Sequence, residues 1–236
     1  MRILAFESSA KAASVAILQD GALLGEYYQN SGQTHSRTLM QMAANLLENC
    51  DLTVRDIDAV AVASGPGSFT GVRIGVAAAK GFAWGRELPL YGVSTLEAMA
   101  VTHSRCKGIL CASMDARRNQ VYNALFRSDG EKLTRLTEDR AIAIETLQEE
   151  LAAYQEEKIF VGDGALLCYN ALKDKVAGVT LAPEYLRMQR ASGVALAAAE
   201  QIRSGMPGDA AALTPNYLRL SQAEREKKAR EEKQIS

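Results

Sequence analysis

The segment Ala63–Gly75 constrains the fold of this chain most, because three glycines and a proline lie where the chain must change direction sharply. The preceding run Asp58–Ser64 is short and apolar, as in a buried strand. Ser68 can cap a helix N-terminus with its hydroxyl, and Val72 and Val76 begin a helical apolar repeat. The segment therefore predicts a strand that turns tightly into a helix over residues 68–84.

A glycine-rich turn between strand and helix also suggests phosphate binding, because backbone N–H groups at a helix N-terminus favour anions. Gly65, Gly67 and Gly71 are spaced one residue more widely than the dinucleotide-binding fingerprint requires. Gly71 is followed by Val72 and Arg73, whereas a P-loop continues with Lys and Ser or Thr. The spacing favours a tight turn and a close-packed helix, with phosphate binding as the open alternative.

The composition describes a globular protein with no excess of positive charge. The 236 residues carry a net charge of −1 and are 47% apolar, enough for one large domain or two small ones. A protein that binds nucleic acid by itself normally has a basic excess. Four cysteines without C-x-x-C spacing and two histidines predict no metal site. Without a signal peptide or membrane span, we expect a cytoplasmic protein with no membrane partner.

The first half of the chain predicts an antiparallel meander followed by alternating helices and strands. Asp20-Gly21 is a typical two-residue hairpin turn. The predicted strands are 2–6, 14–19, 22–28, 58–64 and 90–93, and the predicted helices are 34–49, 68–84 and one that begins at Ser94. This order matches the ribonuclease-H-like unit, the building block of the actin-like ATPase and sugar kinase superfamily.

The second half repeats the pattern, which predicts an α/β fold of two ribonuclease-H-like lobes. The predicted strands are 107–114, 120–126, 131–136 and 158–161, and the predicted helices are 144–154, 165–172 and 191–203. We place the first lobe at residues 1–104, the second at 105–219 and a charged tail at 220–236. The tail alternates acids and bases, which is typical of a solvated, frayed helix.

Four segments in order resemble one known family. Ile3–Ser9, Ser64–Gly75, Asp115–Arg117 with Val121-Tyr122, and Gly162–Ala165 are similar to the TsaB (YeaZ) family, from Met1 to about Arg219. The resemblance implies a two-lobed actin-like fold and a role in forming threonylcarbamoyladenosine beside the tRNA anticodon. It implies that TsaD, a catalytic subunit with the same fold, is the partner, that the ATPase TsaE joins them, and that tRNA is met only through the complex. It also implies a homodimer when TsaD is absent.

The residues that would support catalysis differ from those of the catalytic relatives. Thr95 and Met99 stand where TsaD-like chains have two metal-binding histidines, and neither is a comparable ligand. Lys11 stands where nucleotide-using relatives have an acid, and Asp115-Ala-Arg117 replaces a glycine pair. We therefore expect a non-catalytic partner of TsaD, with no cofactor, no metal and no catalytic residue of its own.

A nucleotide contact remains the alternative. Glu7, Ser8 and Ser9 lie where a first phosphate hairpin would be, and Asp115 and Arg117 lie where a second would be. An actin-like ATPase or kinase that acts by itself would use these residues. We expect instead that Asp115 caps its own turn and that Arg117 pairs with it.

Two helices are richer in apolar and small residues than one buried face requires. If Val72, Val76 and Ala83 face the sheet, other residues of the two helices remain for a partner. The predicted partner-binding residues are Met40, Ala44, Leu47, Gly71, Gly75 and Ala79. Two helices from each subunit would then form a four-helix bundle, as the resemblance implies. The alternative is that these residues only pack the two helices on each other.

Overall fold

A computed structural model describes residues 1–219, and the charged tail predicted at 220–236 lies outside the described residues. The first sheet has the strand order β3-β2-β1-β4-β5. Its strands are β1 (Arg2–Glu7), β2 (Ala13–Gln19), β3 (Ala22–Gln29), β4 (Ala59–Gly65) and β5 (Leu90–Ser94). The first three are antiparallel, and β4 and β5 run parallel to β1. The predicted meander is confirmed.

Helices cover both faces of this sheet because its strands direct apolar side chains to each face. Leu4 and Phe6 of β1 pack under α1 (His35–Asn49) and α2 (Phe69–Trp84). Ile3 and Ala5 pack on the opposite face, under α3 (Thr95–Val101) and α7 (Ala191–Arg203). Side chains of a strand alternate between faces, so a continuous apolar run is typical of a strand buried on both sides.

The second sheet has the order β11-β10-β6-β7-β8. Read from β8, its strands correspond one to one with β3-β2-β1-β4-β5 of the first sheet. Its strands are β6 (Gly108–Asp115), β7 (Gln120–Ser128), β8 (Leu133–Arg135), β10 (Lys158–Val161) and β11 (Val179–Leu181), and β9 (Arg140–Ala143) pairs with β7. Its helices are α4 (Ile144–Ala152), α5 (Ala165–Leu172) and α6 (Glu184–Arg187). The repeated order confirms the predicted duplication of a ribonuclease-H-like unit.

Helix α3 joins the two halves by packing on both sheets. Ala98 contributes to the core of the first sheet, whereas Leu96 and Met99 contribute to a core under the second. The buried faces of this short helix therefore place the carboxyl ends of β1 and β6 beside a shared cleft.

The structure places helix α7 differently from the prediction. We assigned residues 191–203 to the second lobe, but α7 packs on β1, β2 and β4 of the first sheet. Gly193 permits this position, because a Cβ there would collide with the backbone of Ala98 in α3. Ser14 Oγ accepts a hydrogen bond from the Ala191 N–H (2.7 Å), which fixes the start of the helix. The boundary at residue 104 stays a prediction.

Four short elements have no sequence prediction behind them: β9, β11, α6 and a 3-10 helix at Val54–Asp56. Each has only three or four residues, too few to show a helical or alternating period. Among the described residues, none of the helices is both long and apolar enough to cross a bilayer.

Candidate functional site

A cleft of about 550 Å³ opens between the two sheets, at the ends of β1 and β6. Three parts of the chain form its walls: the turn after β1, the glycine-rich turn before α2, and the turn between β6 and β7. The C-terminal segment 216–219, here called the C-terminal strap, closes a fourth side. Of the predicted nucleotide residues, Ser9, Asp115 and Arg117 line this cleft.

The turn after β1 is closed by the glycine edge of α2. Ser8 Oγ donates a hydrogen bond to the carbonyl of Gly71 (2.9 Å), and both residues are buried. A Cβ at Gly75 would lie 2.5 Å from Ser8 Oγ, and one at Gly71 would collide with the Ser8 carbonyl. The glycines therefore let α2 lie directly on the backbone of Ser8, the close approach that their spacing predicts.

Two of the N–H groups around the start of α2, those of Ser68 and Gly71, are already used within the chain. The Ser68 N–H donates to the carbonyl of Ser9 (2.6 Å), and the Gly71 N–H donates to Ser68 Oγ (3.3 Å). Ser68 is thus the helix N-cap, as predicted. Since these donors point at protein acceptors, the geometry favours the tight-turn interpretation of the glycine segment over a phosphate cradle.

Glu7 lies beneath the cleft as a buried carboxyl. Its Oε1 accepts a hydrogen bond from the Ser9 N–H (2.6 Å), while Oε2 has no hydrogen-bond partner within residues 1–219. Burial raises the pKa of Glu7 to about 7, against the lowering effect of its contacts with Ser9. Near neutral pH this carboxyl is therefore only partly ionised, which weakens it as a ligand for a cation.

Asp163 is a second carboxyl of the cleft, and it is not among the predicted site residues. The residue is exposed on the cleft wall, and the amide of Gln189 donates a hydrogen bond to its Oδ1 (2.7 Å). The surrounding protein still displaces enough water to raise the pKa of Asp163. The charge of Asp163 also disfavours ionisation of Glu7. The inner part of the cleft is thus acidic and supplies acceptors rather than donors.

The turn between β6 and β7 has the predicted internal contacts. Asp115 Oδ1 accepts a hydrogen bond from the Arg117 N–H (2.7 Å), and the two side chains form a loose ion pair (3.9 Å). Arg117, Arg118 and Asn119 all have positive φ, of 66°, 56° and 58°. Such a left-handed run is costly for residues with a Cβ and turns both arginines outward to solvent.

The C-terminal strap is the part of the site that sequence analysis missed. The Asn216 N–H donates to the carbonyl of Ser64 (2.7 Å), and Tyr217 stacks on Phe69 with ring centroids 4.5 Å apart. Arg219 then reaches the other sheet and donates to the carbonyl of Ala116 (2.8 Å). The C-terminal strap has no helical or alternating apolar pattern. Its aromatic and basic residues are therefore the one local sign in the sequence that it belongs to a functional site.

The positions compared with catalytic relatives lie in unsuitable surroundings for metal binding. Thr95 and Met99 are fully or almost fully buried, with Met99 in the core under the second sheet. Lys11 is exposed at the cleft. These side chains present no ligand set of the kind that a divalent cation uses.

The predicted partner-binding residues do not form one surface. Met40 and Ala44 are exposed on α1, but Leu47, Gly71, Gly75 and Ala79 are buried within the chain. The prediction that the last four are left for another surface is wrong. Residues four apart share one helix face, and on α2 that face lies on Ser8 rather than toward solvent.

A different row of α2 residues faces solvent beside α1. Ala77 and Gly81 are exposed, a Cβ added at Gly81 would meet no atom within 4 Å, and Trp84 is 77% exposed. Helices α1 and α2 contact each other, and Met40 and Ala44 are exposed on the first as these residues are on the second. We call this surface the outer face: Met40, Ala44, Ala77, Gly81 and Trp84.

The fold and the cleft define the class of protein first. Two ribonuclease-H-like units with a cleft between them form the actin-like ATPase and sugar kinase architecture. YeaZ from Pseudomonas aeruginosa has the same fold, with a TM-score of 0.77 at 24% sequence identity, over 92% of this chain and 99% of that chain.

Sequence comparison then identifies the family. Residues 27–227 match the family model described as TsaD, tRNA N6-adenosine threonylcarbamoyltransferase. A Bacillus subtilis protein named tRNA threonylcarbamoyladenosine biosynthesis protein TsaB is 32% identical over 95% of this chain and 96% of its own length. Its Escherichia coli namesake is 36% identical over 70% of this chain and 72% of its own length. The chain belongs to the TsaB proteins within the family that this model describes.

Proposed function

We propose that this chain is a non-catalytic subunit that supports a TsaD-type catalytic subunit in forming threonylcarbamoyladenosine on tRNA. A relative that covers nearly the whole chain carries this pathway in its name, and the matching family model describes the transferase itself. The proposal divides the work within one fold: the relative performs the transfer, and this chain binds it and stabilises its active state.

The closed turn after β1 carries the non-catalytic part of the proposal. A nucleotide-using chain needs free backbone donors for phosphate and an ionised acid for the metal. Here the Ser68 and Gly71 N–H groups are bonded to Ser9 and Ser68, and Glu7 is a buried carboxyl with a raised pKa. These contacts occupy two of the donors that a phosphate would use and weaken the acid that a metal would use.

The outer face supplies the surface for the partner. Met40 is 46% exposed and Trp84 is 77% exposed, and both residue types are enriched at protein–protein interfaces. Ala77 and Gly81 have little or no side chain, so a partner helix can approach the α2 backbone closely. A TsaD subunit with an equivalent pair of helices would complete a four-helix bundle.

The same surface would serve a second copy of this chain when the catalytic partner is absent. We include this homodimer, and TsaE as a further partner of the heterodimer, in the proposal. Because one face would serve both pairings, the homodimer and the heterodimer should exclude each other.

Co-purification with the TsaD of the same organism tests the outer face. Ala77→Arg and Gly81→Arg place long charged side chains where a helix must approach, and we expect both variants to lose the heterodimer on gel filtration. Ala152→Arg is the matched control, because Ala152 is an exposed helical alanine of α4, on the second sheet. The control should retain the partner.

Folding of the variants separates interface loss from misfolding. Gly81→Arg should stabilise the isolated chain by about 0.5–1 kcal/mol, because Gly has the lower helix propensity and its site is open. Heterodimer formation by both arginine variants at wild-type level would refute the outer face. Loss of tRNA modification in cells that carry only these variants would support the accessory role.

An ATPase or kinase that acts by itself is the second candidate, favoured by the open cleft and by Lys11, Arg117 and Arg219 on its walls. Isothermal titration of the isolated chain with magnesium ATP distinguishes the two candidates. Micromolar binding that Arg117→Ala weakens would replace the non-catalytic proposal.

A further inference from the structure

Basic side chains gather at the mouth of the cleft, and the accessory function does not account for them. Lys11, Arg117 and Arg219 line one cavity. Arg118 follows in the same exposed turn, and Arg73 lies over the ring of Phe69, 3.9 Å from its centroid. We call these five basic residues the cationic rim.

The charge of the cationic rim is poorly compensated. Its one ion pair within residues 1–219 joins Arg117 to Asp115 at 3.9 Å, with the arginine side chain 87% exposed. Exposed pairs of this length contribute little. The whole chain has a net charge of −1, so the rim is a local concentration of positive charge on a protein without a basic excess.

The backbone is strained where it presents two of these charges. Three consecutive left-handed residues, Arg117 to Asn119, cost on the order of 1–2 kcal/mol each when they carry a Cβ. Strained backbone of this kind persists only where the surrounding structure holds it, and it clusters at active and ligand-binding sites. Here it directs Arg117 and Arg118 away from both sheets, where neither stabilises the fold through a buried contact.

Aromatic rings lie between the basic side chains. Tyr217 stacks on Phe69 and accepts a hydrogen bond from Arg73 Nε (2.7 Å) at its hydroxyl. Arg219 lies over the ring of Tyr122, 5.9 Å from its centroid. Alternating cations and aromatic rings provide phosphate contacts and stacking surfaces together, as single-stranded nucleic acid requires.

Carboxyl groups in the inner part of the cleft disfavour a phosphate there, so a phosphate is favoured only at the mouth. Glu7 is buried beneath the cleft, and Asp163 and Asp115 lie on its walls. A polyphosphate group pushed into the cleft would meet these carboxyls, whereas a strand that crosses the mouth would meet only the rim. Charge complementarity therefore favours a polymer backbone over a free nucleotide.

We propose that the cationic rim binds the sugar-phosphate backbone of an RNA strand, with the exposed ring of Tyr217 available for base stacking. The assignment rests on the proposed function for the choice of RNA as the anion. In this arrangement, the accessory subunit holds part of the RNA substrate while the catalytic subunit performs the transfer.

Fluorescence anisotropy tests the rim with a labelled anticodon stem-loop RNA and the full chain, alone and assembled with TsaD. The double variant Arg117→Glu/Arg118→Glu keeps long side chains at the same positive φ, so the turn strain is unchanged. We expect at least about tenfold weaker binding, and a slope of log affinity against log salt smaller by roughly 1.4, from two lost single-strand phosphate contacts.

Arg55→Glu/Lys132→Glu is the matched control. Both residues are exposed and outside the cleft, neither side chain forms a hydrogen bond or ion pair with the described chain, and the net charge change is the same. Equal weakening by both double variants would reduce the effect to overall charge and overturn the assignment. Unchanged binding by the rim variant, or no RNA binding by wild type alone or assembled, would also overturn it.

Two further measurements separate the possible failures. Co-purification of the rim variant with TsaD should be normal, so a lost heterodimer alone would count against the proposed function rather than the rim. Titration with inorganic phosphate and with ATP shows whether the cationic rim binds a small phosphate ligand instead of RNA. Tight binding of either at the rim, without RNA binding, would reassign the site to a small phosphate ligand.

Discussion

In both halves of the molecule, a glycine of the following helix packs on the backbone of the turn after the first strand. The two turns nevertheless carry different side chains, a buried carboxyl in the first half and exposed arginines in the second. In the first half Gly71 of α2 lies on the backbone of Ser8, and in the second half Gly164, at the start of α5, lies on Met114 and Asp115. The Ser68 N–H bonds the carbonyl of Ser9, and likewise the Gly164 N–H bonds that of Ser113 (3.0 Å). Both helices therefore close onto the end of the first strand of their own unit.

The turns differ in what lies beyond this contact. Glu7, Ser8 and Ser9 are buried, and the carboxyl has a raised pKa. Arg117 and Arg118 are exposed and held by a left-handed backbone. The duplicated unit thus fixes where each turn lies but not which side chains it presents, because the glycine contact involves only the backbone.

Titration of Glu7 is the largest test of the buried turn. Its pKa is 4.5 for the free side chain and about 7 in the fold, so the unfolded chain ionises first as pH rises. The stability that Glu7 contributes is complete below its unfolded-state pKa of 4.5. It declines as pH rises and is lost once pH exceeds the folded-state pKa of about 7. The decline is on the order of 3 kcal/mol. Urea unfolding of wild type and Glu7→Gln, between about pH 4 and pH 8, measures it.

Glu7→Gln should flatten this decline, and it should exceed wild type in stability only at the alkaline end. Glu131→Gln, an exposed glutamate of the hairpin between β7 and β8, is the control and should follow the wild-type curve. Parallel curves for wild type and Glu7→Gln would show that the carboxyl is ionised and solvated in the fold.

Filling the glycine contact tests the frame itself. Gly71→Ala forces a methyl group against the Ser8 carbonyl, and we expect a loss of about 2–3 kcal/mol in unfolding free energy, as in other overpacked cores. Gly81→Ala, on the same helix, has open space and should gain up to about 1 kcal/mol. Urea denaturation measures both, and equal effects would contradict the close packing of α2 on Ser8.

The elements that the sequence predicted are those with a long period or a strong turn signal. Helix α2 and the hairpin at Asp20-Gly21 were placed within a residue or two, because apolar spacing and glycine fix them locally. Residues 191–203 form the predicted helix, which the prediction placed in the second lobe and which packs on the first sheet. The alanine-rich surface of this helix fits either lobe, and long-range contacts such as those of Gly193 with Ala98 and of Ala191 with Ser14 place it on the first sheet.

The functional site was predicted only in part, because local patterns are visible in a sequence and long-range contacts are not. The spacing of Gly71 and Gly75 predicted a close backbone approach, but a sequence does not state which backbone approaches, and it proved to be Ser8. The strap residues Tyr217 and Arg219 reach the cleft only through long-range contacts with Phe69 and Ala116. Such contacts leave no local pattern to detect.

Removing one side-chain hydrogen bond from each turn is the smallest test of the comparison. Ser8→Ala deletes the bond from its hydroxyl to the Gly71 carbonyl, and Asp115→Ala deletes the bond that its carboxylate accepts from the Arg117 N–H. Both bonds are of ordinary length, at 2.9 and 2.7 Å, so their difference lies in solvent exposure. We expect about 1 kcal/mol for the buried serine and about half of that for the aspartate, whose freed N–H can bond water. A larger loss for Asp115→Ala in urea denaturation would mean that the exposed turn, with its three left-handed residues, depends on this carboxylate more than the buried turn depends on Ser8.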